Sequence, residues 1–157
     1  MELENNFYMD FSLNDESSLR IFKNRKKINL ISLDSGRMAK KENEIVIEKH
    51  YAEKHNYKIN SNIIIGKKDY TITGIGSVPD YNMVIASPSD VSSDIKQFSV
   101  AFLSESGYKK LKDTGRAKTS EEYRYSYILT GKMTDNELKN YLSKMDFDKT
   151  KITDKYM

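Results

Sequence analysis

The chain has 157 residues and no cysteine, so disulfide bonds and thiolate chemistry are excluded. Lys and Arg number 26 against 23 Asp and Glu, which leaves a net charge of only +3 and excludes the strong basic field of a dedicated nucleic-acid binder. The length predicts one domain, or two small lobes, with a core large enough to be stable without crosslinks.

The first part of the sequence predicts a meander of β-strands. Apolar and polar residues alternate from Phe7 to Leu13 and again from Leu19 to Lys23, which is the period of a strand with one buried face. A third alternating stretch runs from Ile28 to Ser32. The charged stretch from Asp34 to Glu42 predicts a loop.

The middle of the sequence predicts a short helix and a hairpin. Glu44 to Ile47 is typical of a buried strand, and Glu48 to Asn56 is rich in helix formers without Gly or Pro. Two β-branched runs, Ile63 to Ile65 and Tyr70 to Ile75, flank a glycine turn and predict a β-hairpin. The Ser, Pro and Asp stretch from Ser87 to Asp94 predicts a loop between lobes.

The last third alternates strands with helices. The predicted elements are a strand from Phe98 to Leu103, a helix from Ser106 to Asp113, a strand from Tyr123 to Leu129 and a helix from Asn136 to Lys144. Thr134 and Glu137 have the spacing of a capping box at the start of the final helix.

These elements predict an α+β fold with a split α/β lobe and an inserted β-rich lobe. Residues 1–27 and 97–145 are assigned to the α/β lobe, because each segment has one apolar face and neither can bury it alone. Residues 28–96 are assigned to the inserted β-rich lobe. Residues 146–157 form a polar tail.

No catalytic residue, metal site or cofactor is predicted. His50 and His55 are about 140° apart around a helix axis, so they do not share a metal from one face. Ser93 and Ser106 each begin an S-x-x-K motif, but the supporting elements of that enzyme class are absent. An enzyme of an unrecognised class remains a third hypothesis, which loss of an activity on replacing either serine would support.

Two surface patterns are candidate binding sites. Four cations between Lys23 and Lys27 predict either a solvated hairpin tip, which is favoured, or a contact with phosphates or anionic lipid head groups. Tyr123, Tyr125 and Tyr127 share one face of a strand and predict either an aromatic binding strip or, more commonly, packing on the terminal helix around Leu138.

No segment predicts membrane insertion or export. A transmembrane helix needs about 18 consecutive apolar residues, and the apolar runs of this sequence are much shorter. Met1 to Asn6 lacks the basic and apolar regions of a signal peptide. The chain is therefore expected to be soluble, as a soluble piece of a larger membrane protein would also be.

The order of several short motifs resembles the extracytoplasmic, MacB-like core domain of FtsX-like ABC transporter permeases. The matching segments are Asn24 to Leu30, Ser35-Gly36-Arg37, Asn43 to Ile47, Tyr70 to Ile75 and Val78-Pro79-Asp80-Tyr81. Asn60-Ser61 stands where the family usually has Gly-Asp. Because Asn tolerates the left-handed backbone that Gly often supplies, the turn is expected to survive.

The resemblance implies a non-catalytic domain on the extracytoplasmic face of the cell membrane. Transmembrane helices of the same permease would flank it, and an ATP-binding subunit would lie across the membrane. It implies contacts with a sister domain or a peptide or lipoprotein substrate near Asp80 and Tyr81. The bias toward Lys, Asn and Ile is compatible with a low-GC Gram-positive source. The alternative is a stand-alone extracellular binding or adhesion module.

Overall fold

The computed structural model describes residues 1–81 and 98–144. The strands are β1 Glu2–Asn5, β2 Tyr8–Ser12, β3 Ser18–Lys23, β4 Ser32–Gly36, β5 Glu44–Glu48, β6 Asn62–Ile65, β7 Lys68–Ser77, β8 Phe98–Leu103 and β9 Tyr125–Ile128. The helices are α1 Lys49–Lys54, α2 Glu105–Asp113 and α3 Asp135–Ser143, and a 3₁₀ turn covers Pro79–Tyr81.

Seven of the strands form one mixed sheet. Its order is β2-β3-β8-β5-β7-β4, and β6 pairs with β7 outside this path. β3 and β8 are parallel, as are β5 and β7, whereas the other pairs are antiparallel. The remaining strands, β1 and β9, form a two-stranded antiparallel sheet. The fold is α+β, as predicted.

Two apolar clusters lie on opposite faces of the seven-stranded sheet, because successive strand residues alternate between them. The first face packs against helix residues, namely Tyr51 and Ala52 of α1 and Tyr108 and Leu111 of α2. The second face packs against irregular segments through Ile31, Met38, Ala39, Val78 and Tyr81. β5 and β8 are buried along their full length. The core therefore spans both sides of the central strands.

Most of the predicted elements are confirmed, and one prediction is wrong. No strand covers the predicted stretch from Ile28 up to Ser32, where β4 begins. β4 also takes in the first residues of the loop predicted from Asp34 to Glu42, and the rest of that loop, 37–42, lies outside strands and helices as predicted. Ile28 is buried outside any strand, and Leu33 packs in the second cluster. Pairing with β7 therefore determines where this edge strand lies, and the hydrophobic alternation upstream of it belongs to an irregular segment that covers the core.

The two predicted lobes share one sheet in the described part of the chain. β8 pairs with β3 on one side and with β5, from the predicted inserted lobe, on the other. The first cluster also mixes residues from both segments. Among the described residues, 28–96 therefore does not have a core of its own. The lobe boundaries near residues 27 and 97 stay a prediction.

Local signals at the element ends are confirmed. The Thr134 side chain accepts from the Glu137 backbone, and the Glu137 side chain accepts from the Thr134 N–H, which completes the capping box at α3. Asn60 has φ +71°, the left-handed backbone expected of it. The predicted loop 87–94 and tail 146–157 lie outside the described residues. Within residues 1–81 and 98–144, every helix is too short or too polar to cross a bilayer.

Candidate functional site

The two-stranded sheet of β1 and β9, here called the ribbon, continues the pairing of the edge strand β2. Glu2 lies opposite Ile128 and Asn5 opposite Tyr125. The same register continues into the body, where Tyr8 forms a bridge with Glu122. The ribbon therefore continues the register of the bridge at β2, although it is a separate sheet.

One face of the ribbon is aromatic and exposed. Tyr123, Tyr125 and Tyr127 are 65%, 57% and 41% exposed, and Leu3, opposite Tyr127, is 48% exposed. Phe7 contacts the rings of Tyr123 and Tyr125 edge-on, with centroid distances of 4.9 and 5.3 Å. The ring partner of these two tyrosines is therefore Phe7, and this face, here called the tyrosine face, remains available at the surface.

Packing of the tyrosines on the terminal helix was the favoured sequence interpretation, and the exposure of these rings argues against it. Leu138 of α3 is buried, but Tyr141 of the same helix is 59% exposed. The α3 helix therefore leaves the three tyrosine rings largely open to solvent.

Asp80 is placed in a buried ion pair and not at an open cleft. Its Oδ1 accepts from Nη1 of Arg25 at 2.6 Å, and the two side chains are only 5% and 4% exposed. Arg25 also donates to the carbonyl of Asn29 and to the side chain of Asn6. The guanidinium lies 4.9 Å from the centre of the Phe22 ring. The carboxylate of Asp80 is thus occupied by the chain itself, contrary to the expected partner contact.

Tyr81 belongs to a second arginine cluster on the same face of the sheet. Its hydroxyl accepts from Nη1 of Arg20 at 3.3 Å, and Arg20 also donates to both carboxylate oxygens of Asp10 at 2.9 and 3.0 Å. Arg20 lies 4.1 Å from the Tyr8 ring centre. Although burial acts to lower the pKa of Arg20, the hydrogen bond to Asp10 raises it above its usual value. This guanidinium stays charged and ties Tyr81 to the sheet.

The cationic segment Lys23 to Lys27 is not a simple solvated tip. The side chain of Arg25 is buried, whereas Lys26 and Lys27 are exposed. The backbone N–H groups of residues 26, 27 and 28 all donate to the carboxylate of Glu4, at 2.5, 3.1 and 2.7 Å. Burial acts to raise the pKa of Glu4, but these three donors lower it overall. The segment is therefore fixed to β1 through Glu4, on the face of the strand opposite to Leu3.

The Gly-Arg and Asn-Glu motifs meet in a clamp between β4 and β5. Arg37 donates from Nη1 and Nη2 to Glu44 at 2.8 and 2.7 Å, a bidentate pair. The Glu44 carboxylate also accepts from the backbone N–H groups of Lys40 and Lys41 at 2.8 and 3.0 Å. These hydrogen bonds, that of Arg37 above all, hold the pKa of Glu44 well below its usual value.

This clamp predicts a specific pH dependence of stability. The folded-state pKa of Glu44 lies below its ordinary value of 4.5, so the clamp contributes fully above that pH and less as the pH falls. Glu44→Gln is expected to lower the melting temperature at about pH 7, and the difference from wild type should shrink toward about pH 3. Thermal unfolding followed by circular dichroism gives the melting temperatures of the wild type and the variant at each pH. A difference that is constant across this pH range, or equal to that of exposed Glu53→Gln, would contradict the clamp.

The histidines and Ser106 have structural contacts. His50 lies beside Glu48, with 2.7 Å between Nδ1 and Oε1. His55 contacts Asp15 at 3.1 Å, and its ring is tilted by 36° against that of Tyr51, with 4.2 Å between the ring centres. Ser106 contacts Ser104, the N-cap of α2, through its hydroxyl. In the described ranges no group of three or more His, Cys, Asp or Glu has a metal-binding arrangement. Ser93 lies outside those ranges.

Comparison with known proteins gives a likeness in fold to solved structures. No protein-family model and no curated protein matches the sequence. Among solved structures, the chain is similar to the periplasmic region of MacB from Actinobacillus actinomycetemcomitans, with a TM-score of 0.49 and 11% identity. The likeness covers 89% of this chain and 62% of that one, so the chain spans less than two thirds of the compared structure.

Proposed function

We propose that this chain is the non-catalytic extracytoplasmic domain of an FtsX-like ABC transporter permease. The observation that carries the proposal is that the short motifs of that family, spread from residue 24 to residue 81, contact one another in the fold. The contacts are Arg25 with Asp80, Arg37 with Glu44 and with the backbone of Thr73, and Gly36 with Gly74. Short motifs that matched the family by chance would have no reason to contact one another in the fold.

These contacts define a rigid unit, and this supports a mechanical role. The Arg25–Asp80 pair fixes the 3₁₀ turn to the end of β3, and the Arg37–Glu44 clamp joins β4 to β5. A sheet held in this way moves as a body when its ends are displaced. In the proposed mechanism, ATP binding by the subunit across the membrane shifts the permease helices between two states, and the domain transmits that shift.

The partners in this proposal are the permease helices, the ATP-binding subunit and an extracellular contact. That contact is a sister domain or a peptide or lipoprotein substrate. In this mechanism the shared sheet moves as one body, since β8 pairs with β3 on one side and with β5 on the other.

The full-length gene gives the first test. Apolar spans of about 20 residues should flank the segment, and an ATPase gene should lie nearby. A native protein without flanking spans would exclude the permease. The coupling itself is tested in the reconstituted complex with spin labels at Ile64→Cys, an exposed position on β6. The distance between labels in sister domains should change when ATP binds, and an unchanged distance would contradict coupling.

A stand-alone binding or adhesion module is the second candidate, favoured by the exposed tyrosine face. The two candidates differ in gene structure, because a stand-alone module needs no membrane spans on both sides. Peptide titration of the isolated domain with a Tyr125→Ser variant as control would then identify its ligand. Binding that the variant abolishes, in a protein without flanking spans, would establish this second function.

A further inference from the structure

The outer strands of the seven-stranded sheet, β2, β4 and β6, differ in how their free edges are protected. Tyr8 of β2 exchanges two backbone hydrogen bonds with Glu122, so the chain itself covers that edge. β4 is interrupted by a bulge between Leu33 and Ser35, and Asp34 at the bulge carries a charge. Bulges and charged side chains keep edge strands from pairing with other chains. β6 has neither, because it pairs with β7 without a register shift and contains no charged residue and no proline.

The turn between β6 and β7 determines which backbone groups of β6 face β7. It consists of Gly66 and Lys67, and both have a positive φ, +58° and +63°, as in the type I′ turn of a tight hairpin. The hydrogen bond that closes such a turn joins Ile65 to Lys68, which lie opposite each other. From this pair onward, hydrogen-bonded and non-hydrogen-bonded pairs alternate along the hairpin.

The backbone groups of β6 therefore point alternately toward β7 and away from it. Ile63 faces β7, and beyond the strand the N–H of Ile72 donates to the carbonyl of Ser61, which keeps the same alternation. The N–H and C=O groups of Asn62 and Ile64 consequently point to the outer side of the sheet. Among the residues that the structure describes, none forms a hydrogen bond with these four groups.

The side chains of β6 place an apolar residue beside this open edge. Ile63 and Ile65 are buried in the first cluster, whereas Ile64, on the other face of the strand, is 52% exposed. Because β6 is fixed by its two buried neighbours, its outer groups are held in extended geometry before any partner binds. The edge therefore offers two backbone donors, two backbone acceptors and one exposed isoleucine.

We propose that β6 is a strand-addition site that binds an extended peptide segment of a partner protein. The backbone of the peptide pairs with Asn62 and Ile64, and an apolar or β-branched side chain of the peptide lies beside Ile64. A second copy of this chain is less favoured, because a stable dimer uses about 20–30 residues on each side and β6 has four. The inference goes beyond the proposed function and does not depend on it, since the edge is open in the domain itself.

Hydrogen exchange of the whole chain, followed by NMR, tests the open edge directly. The amide protons of Ile63 and Ile65 should be protected, whereas that of Ile64 should exchange freely. The probe is a hexapeptide of alternating threonine and valine, blocked at both ends. Adding it should slow exchange at Ile64 and leave Ile63 unchanged. Protection of the Ile64 amide in the free protein, or unchanged exchange at Ile64 with about 1 mM probe, would overturn the proposal.

Variants and a modified probe separate backbone pairing from side-chain contact. Ile64→Pro removes only an outward N–H, so β6 should stay paired with β7 while probe binding, measured by fluorescence anisotropy with a labelled peptide, weakens about tenfold or more. The matched control Ile64→Thr keeps that N–H and should weaken binding less than about fivefold. Circular dichroism establishes that both variants are folded. Equal binding by Ile64→Pro and Ile64→Thr would overturn the proposal.

The fully N-methylated probe gives a second measurement that needs no variant of the protein. It has the same side chains but no backbone N–H donors, so it should not bind to the wild-type chain. Binding of this probe with the affinity of the unmodified one would overturn the proposal. This comparison decides the matter even if Ile64→Pro does not fold.

Discussion

Replacing Asp80 with alanine is expected to destabilise the domain by about 3–5 kcal/mol, because it leaves the Arg25 guanidinium charged and buried without its counter-ion. Both side chains are at most 5% exposed, and the carboxylate is 2.6 Å from Nη1. The free energy of unfolding, from urea titration followed by circular dichroism, measures the effect.

An exposed ion pair of the same fold is the matched control. Asp34 lies 3.6 Å from Lys49, and the two side chains are 47% and 42% exposed. Asp34→Ala should therefore cost less than about 1 kcal/mol. Asp80→Leu combined with Arg25→Met should recover a large part of the loss, since it removes both charges. Equal costs for Asp34→Ala and Asp80→Ala would contradict the assignment of Asp80 as a buried anchor.

Gly36→Ala is expected to be the most damaging glycine substitution of the framework. Gly36 has φ +76°, and an added Cβ would lie 2.1 Å from the carbonyl oxygen of Thr73. The left-handed backbone costs an alanine about 1–2 kcal/mol, and forcing the strands apart costs about 1–3 kcal/mol more. The expected total is therefore about 2–5 kcal/mol, with the loss of β4 from the sheet.

Gly131→Ala separates the two contributions. Gly131 also has a positive φ, +84°, but an added Cβ meets nothing within 4 Å. This variant should show only the backbone cost of about 1–2 kcal/mol. If urea titration gives the same loss for both variants, close approach of β4 to β7 is not what requires glycine at position 36.

The sequence predicted the elements in which local signals and burial agree. The hairpin of β6 and β7 combines β-branched residues with a glycine turn, and the capping box at Thr134 marks the start of α3. These features need no knowledge of distant residues. The register of β5 beside β8, by contrast, depends on strands more than fifty residues apart, and no local pattern specifies it.

The candidate site was predicted only in part, for a related reason. The tyrosines at 123, 125 and 127 share a face by strand periodicity alone. The partner of Asp80 could not be deduced, because Arg25 lies 55 residues away in a segment that composition marks as a solvated tip. For Arg20 the sequence indicates only that a partner exists. A cation between Leu19 and Ile21, in a buried strand, requires a buried partner.

Topology of the full-length protein tests the central claim most directly. The chain has no cysteine, so Lys68→Cys introduces one thiol at an exposed position, the first residue of β7 after the hairpin turn. Intact cells that express the full-length protein are treated with a membrane-impermeant maleimide, and the labelled peptide is located by mass spectrometry. The account predicts labelling of residue 68 in intact cells. Labelling only after lysis would place the domain inside the cell and contradict an extracytoplasmic permease domain.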